Sequence, residues 1–276
     1  MGGQPKHDYH LIDPSPWPLI GAFAGLLLAT GALLFMHDKS GGVVTLIAGF
    51  AAVIFTMFVW WKDVINEGKS GDHKSIVRHG LRVGMALFIL SEVMFFFAFF
   101  WSFFKAALAP EFVFDGNHIF EQGIQVLEGV WPPVDVETLN AWDLPLINTL
   151  ILLLSGTTVT WAHYALLKND RKNLIRGLLI TVLLGISFTA LQAVEYGHAT
   201  FGFKDGIYSS NFYMATGFHG AHVLIGTIFL AVCLVRALKG EMSEKHHLGF
   251  EFAAWYWHFV DVVWLFLFAF VYVWGG

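Results

Sequence analysis

Read for its apolar and polar positions, the chain resolves into seven long apolar runs. They fall at about 17–36, 43–61, 83–104, 146–167, 174–200, 211–235 and 252–274, each ended by charge, glycine or proline. A run of about 20 apolar residues crosses the hydrocarbon core of a bilayer as a helix. The apolar positions are continuous rather than alternating, so the period of a β-barrel strand is absent and helices are predicted. The pattern therefore predicts an all-α integral membrane bundle of seven transmembrane helices in a single membrane domain, 1–276.

Composition supports this reading. The 276 residues are 56% hydrophobic, 17% aromatic and 13% charged, with a mean hydropathy of +0.61, well outside the soluble range. A net charge of -5 leaves no nucleic-acid footprint. The single cysteine, Cys233, sits in an apolar run and is expected to pack. No cleavable signal pattern precedes the first run. Lysine and arginine give the orientation. Thirteen of the sixteen lie on the side of the N-terminus and three, Lys39, Lys105 and Lys204, on the other, which places the N-terminus inside and the C-terminus outside.

Two connections look longer than turns. The inner one, Lys62 to Arg82, separates a first two-helix part, 17–61, from a five-helix part, 83–274, and a gap between the parts is expected. The outer one, 105–145, carries Glu111, Asp115, Glu121, Glu128, Asp135, Glu137 and Asp143. Such an acidic surface would attract a basic soluble partner, although a solvated loop is the plainer expectation. Asp143-Leu144-Pro145 reads as a helix entry with aspartate as cap and proline in the first turn. Trp17, Trp60, Trp61, Trp101, Trp142, Trp161 and Trp274 lie near run ends, as an interfacial belt requires. No internal repeat is visible, which counts against an inverted-repeat transporter.

Candidate chemistry is confined to a few polar residues in the runs: Glu92, His163, Glu195, His219, His222, His258 and Asp261. Glu92 lies nine residues into the third run, about 14 Å along it. An acid at that depth costs roughly 2.5–3.5 kcal/mol on insertion scales, so it should be protonated, paired or turned toward other helices. Glu92, His222, His258 and Asp261 fall at similar depth and could form one polar layer. His258 and Asp261, like His219 and His222, are three apart and share a helix face. Paired membrane histidines can ligate haem or copper. The absence of a cysteine pair or a His-x3-His spacing favours hydrogen-bonded packing instead. Glu92, Asp261 and Glu195 could relay protons, but Glu195 is near the outer end and no graded series joins both surfaces. Glu92 is thus expected to be a lone, neutral, buried carboxylate. At the inner edge, Trp61, Glu67 and His73 cluster and Arg236 ends the sixth run. An arginine there can pair with a lipid phosphate and a tryptophan can lie along an acyl chain, although snorkelling to water explains the spacing equally well.

Several blocks resemble subunit III of the aa3-type cytochrome c oxidases, in a bacterial form. These are Trp60-Trp61-x-Asp63-Val64, Ser91-Glu92-Val93-Met94-Phe95-Phe96, Leu144-Pro145-Leu146-Ile147-Asn148-Thr149, Thr160-Trp161-Ala162-His163, Ala215-Thr216-Gly217-Phe218-His219-Gly220-Ala221-His222, Gly249-Phe250-Glu251 and Trp255-Tyr256-Trp257-His258-Phe259-Val260-Asp261-Val262-Val263-Trp264. The resemblance covers nearly the whole chain. It implies seven helices split two plus five around a V-shaped cleft filled by phospholipid, in the bacterial plasma membrane. It also implies no catalytic residue, redox centre or metal in this chain. Haem a, haem a3, CuA and CuB belong to subunits I and II, which take electrons from cytochrome c and pump protons. The subunit would stabilise its catalytic partner and support proton uptake. Glu92 matches the family's buried carboxylate, and Trp61, Glu67, His73 and Arg236 match positions lining lipid headgroups. Residues 110–129 depart from the family pattern and could meet another respiratory complex; Glu241 stands where some relatives carry a basic residue. Two alternatives stay open: an independent ion or proton transporter using Glu92 and Asp261, and subunit III of a quinol oxidase.

Overall fold

The computed structural model describes residues 9–10, 14–109, 130–133 and 136–276. Seven helices in them are long and apolar enough to cross a membrane. They are α1 Trp17–Met36, α2 Gly42–Ser70, α3 Ser75–Leu108, α4 Leu144–Leu167, α5 Arg171–His198, α6 Ile207–Leu238 and α7 Leu248–Leu267, the last continuing as a π-helical segment, Phe268–Trp274. Of the outer-loop acids, Glu111, Asp115, Glu121, Glu128 and Asp135 lie outside the described residues. The chain divides into two units at Val83 and Gly84.

In the first unit α1 packs on α2 at backbone distance. A Cβ on Gly31 would strike the backbone of Leu46, and one on Gly49 the backbone of Leu28. Small residues at such a crossing let membrane helices approach closely, where packing rather than water drives association. Trp17 Nε1 donates to Asp63 Oδ2 at 2.6 Å, fastening the start of α1 to α2.

The connection read as a loop from Lys62 to Arg82 is mostly helix. α2 runs on to Ser70 and stops at Gly71, whose φ of +88° suits glycine and whose N–H bonds to the Glu67 carbonyl. Four residues later α3 begins. The apolar run measures the hydrocarbon thickness, whereas the helix is limited by propensity. Lys62 to Ser70 contains no proline and several good helix formers, and its charges are hydrated once clear of the bilayer.

In the second unit α4 neighbours α5 and α7, and α6 neighbours α5 and α7, closing a four-helix ring. Trp257 and Trp264 of α7 are fully buried at its centre. Their indole N–H groups donate to Ser155 Oγ and Thr149 Oγ1 of α4, each at 2.8 Å, as a buried indole requires. α3 meets α6 and α7 through long aromatic side chains: Phe95 against Phe218 with centroids 5.1 Å apart, Phe96 against Phe259 at 6.1 Å and Phe88 against Tyr256 at 6.3 Å.

The helix entries are mixed. Pro145 sits in the first turn of α4 as expected, but the Asp143 side chain makes no capping hydrogen bond. Asp170 does cap α5, accepting from the Asn173 N–H at 3.1 Å. The backbone and side-chain hydrogen bonds from Asn173 hold the Asp170 carboxyl below its usual range.

Candidate functional site

The intramembrane polar residues form separate pairs. Glu92, at the midpoint of α3, is not alone: its Oε2 lies 2.8 Å from His222 Nε2 on α6, so the expectation of a partnerless carboxylate is corrected. The missing signal is distance, since 130 residues separate them. His222 Nδ1 lies 2.6 Å from the Phe218 carbonyl oxygen. A carbonyl can only accept, so Nδ1 carries a proton and a second proton lies between Nε2 and Oε2. Phe95, Phe96, Tyr256 and Phe259 surround the imidazole with ring centroids between 4.9 and 6.4 Å. The pair thus ties α3 to α6 inside an aromatic shell.

A glutamine amide at 92 can donate to a neutral His222 Nε2, so Glu92→Gln is expected to leave the subunit as firmly held in its complex as the wild type. Glu92→Leu, leaving Nε2 without a partner in apolar surroundings, should cost about 1–3 kcal/mol. Retention of the chain through a detergent titration reads both. Equal loss in Glu92→Gln and Glu92→Leu would mean that the shared proton is indispensable.

His258 and Asp261 meet as their spacing predicts, Nδ1 to Oδ2 at 3.4 Å. The same ring reaches Thr160 Oγ1 of α4 through Nε2 at 3.1 Å, a partner the sequence did not single out. Gly156 makes room, because a Cβ there would collide with Asp261 Oδ2. His219 Nε2 donates to the Val260 carbonyl at 3.1 Å, and its ring packs on Trp264 with centroids 5.0 Å apart. Both histidines contact groups on another helix or within α7 through their ring nitrogens. No group of three or more His, Cys, Asp or Glu that could hold a metal occurs among the described residues.

Glu195, a candidate in the sequence, has partners that the sequence did not show. It is 1% exposed, and its Oε1 accepts from Tyr272 Oη at 2.6 Å and from Gln192 Nε2 at 3.4 Å. Its position near the outer end of its run gave no sign of these partners. Glu195 faces the ring of helices.

The four lipid candidates are placed in two groups. In the first unit Glu67 Oε2 lies 3.7 Å from His10 Nε2, and the His73 ring packs against Gly68. Burial holds the His73 imidazole below its usual range, against the raising influence of Glu67. Trp61 is exposed at 60%. In the second unit Arg236 lies in the last turn of α6. Its Nε is buried, 3.7 Å from Glu241 Oε2, and has no hydrogen-bond partner among the described residues.

Fold and site together define a polytopic helical membrane subunit whose intramembrane acids are held in pairs or small clusters by its own side chains. The family model of cytochrome c oxidase subunit III matches residues 7–276. Among curated proteins, a probable cytochrome c oxidase subunit 3 of Rickettsia bellii is 56% identical over 274 residues, 98% of this chain and 97% of that protein. The subunit 3 of Prototheca wickerhamii is 56% identical over 272 residues, 98% and 99% of the two chains. That of Triticum aestivum is 52% identical over 272 residues, 98% of each. The chain belongs to the cytochrome c oxidase subunit III family and is a subunit of that respiratory complex.

Proposed function

We propose that this chain is the subunit without a redox centre that stabilises the catalytic subunit, binds structural phospholipid and supports proton uptake during aerobic electron transport. Haem a, haem a3, CuA and CuB are assigned to subunits I and II, and cytochrome c is met through the complex. The proposed setting is a bacterial plasma membrane with the N-terminus cytoplasmic, the side favoured by thirteen of sixteen basic residues.

The observation carrying this reading is the whole-length match to the family in a chain whose deep acids are locally engaged. Glu92 is paired with His222 and Asp261 with His258, in separate contacts. That separation weighs against the transporter that would use Glu92 and Asp261 in one path. The relatives' names specify cytochrome c, which favours that donor over quinol.

For lipid, we assign headgroup contacts to Trp61, Glu67 and His73 in the first unit and to Arg236 in the second. Arg236 supports this best: a partly exposed guanidinium in the last turn of α6 has the planar fork that suits a phosphate oxygen. Arg236→Gln is expected to lower the phospholipid retained by the purified oxidase in native mass spectrometry and to hasten inactivation during turnover. Unchanged lipid content would contradict the assignment.

A further inference from the structure

The end of the four-helix ring where α4 and α6 begin and α5 and α7 finish holds buried polar atoms that the contacts above do not use. Tyr272 belongs to the π-helical segment Phe268–Trp274, a conformation that recurs at functional sites. Its Oη donates to Glu195 Oε1 at 2.6 Å, and Gln192 Nε2 reaches the same oxygen at 3.4 Å. Two donors thus meet one carboxyl oxygen. The other, Glu195 Oε2, is buried with no hydrogen-bond partner among the described residues, and so is Gln192 Oε1. The two residues are 1% and 4% exposed and lie three positions apart on α5, hence on one face. The hydroxyl groups around them have no proton to spare. Thr216 Oγ1 donates to the Phe212 carbonyl at 2.7 Å, so in its 2.7 Å contact with Tyr196 Oη the tyrosine is the donor. Tyr272 spends its one proton on Oε1. What remains is a pair of acceptors, and a buried acceptor left without a donor is costly. Asn148 of α4, with both amide atoms unpartnered among the described residues, and Ser209 Oγ of α6, likewise unpartnered, are fully buried near the same end.

We infer that Glu195 Oε2 and Gln192 Oε1 form a binding site for an internal water molecule inside the helix ring. Water is the ligand that the donor and acceptor balance selects. Its two O–H groups serve both acceptors at once, and its oxygen stays free to accept a third bond, the usual number for a buried water being about three. If Oε2 itself carries a proton, the same water accepts it and still donates to Gln192, so the site suits either charge state of Glu195. An apolar ligand would leave both acceptors unmet. A hard cation takes about six to eight oxygens, more than one carboxylate and one amide supply. The water completes a polar tie in which Tyr272 joins α7 to the carboxyl of α5. The inference rests on these hydrogen bonds and not on the lipid assignment, so the Arg236 result leaves it standing.

The test is an electron cryo-microscopy map of the intact oxidase at a resolution that shows ordered solvent. A solvent peak is expected about 2.8 Å from both Glu195 Oε2 and Gln192 Oε1. Glu195→Gln, whose amide keeps an oxygen and gains a donor, should retain the peak, and Glu195→Leu should lose it. A wild-type map that resolves both side chains and shows no peak between them would overturn the inference. A protein group in that place would do the same, as would a peak at about 2.4 Å, the distance of a bound cation. A peak that persists in Glu195→Leu would also overturn it, since the carboxyl would then not be its partner. The wild-type map decides by itself if Glu195→Leu fails to fold.

Discussion

Gly49→Val is expected to dislodge α1 from α2 and to strip the first unit of its packing. The cause is the backbone: a Cβ at 49 meets the main chain of Leu28, and the reciprocal contact joins Gly31 to Leu46. A flexible side chain could swing aside, whereas a helix backbone moves only as a whole. Overpacking of a core usually costs about 1–3 kcal/mol, and rigid neighbours on both sides of the crossing place this change at about 3 kcal/mol or above. Gly25→Ala is the internal control, since nothing lies within 4 Å of a Cβ there. Thermal denaturation of the assembled oxidase, read as loss of this subunit, should separate the two variants. Equal melting of Gly49→Val and Gly25→Ala would refute the close crossing.

The second large effect is expected at Trp257. Its ring is fully buried and lies where a Cβ on Gly185 of α5 or Gly226 of α6 would go, while Nε1 reaches Ser155 of α4 at 2.8 Å. One side chain of α7 therefore touches all three other helices of the ring. Trp257→Ala should cost about 3–5 kcal/mol, the usual range for emptying a large aromatic site. Trp257→Phe keeps most of the volume and forfeits the hydrogen bond, about 0.5–1.5 kcal/mol for that bond. The same melt should rank wild type, phenylalanine and alanine in that order. If alanine matched phenylalanine, the ring would not be the centre of the packing.

What could be read from the sequence followed from how each feature is encoded. The seven spans were legible because hydrocarbon thickness sets a length that apolar runs must meet. Their ends were not: Lys62 to Ser70 continues α2 because helix propensity outlasts the bilayer, and Asp143 failed to cap where Asp170 did. His258 with Asp261 was visible, being a contact within one turn. Glu92 with His222 and Glu195 with Tyr272 were not, because they lie 130 and 77 positions apart and no local pattern records a tertiary pairing. The depth of Glu92 signalled that a partner or a proton was needed without naming His222. The contact of Thr160 with His258 gave no signal beyond the place of Thr160 in a family block, since a threonine in an apolar run usually bonds its own helix backbone.

The central claim, that this chain is a subunit of the oxidase and holds no redox centre, is tested most directly by following pigment and metal. An affinity tag on this chain, used to purify the intact complex from mild detergent, should bring haem a and copper with it. Stripping the chain away should then leave both in the remaining subunits, with the chain itself colourless by visible absorption and free of copper by elemental analysis. Haem or copper that stayed with the isolated chain, or a tagged chain that purified without either from the intact membrane, would contradict the account.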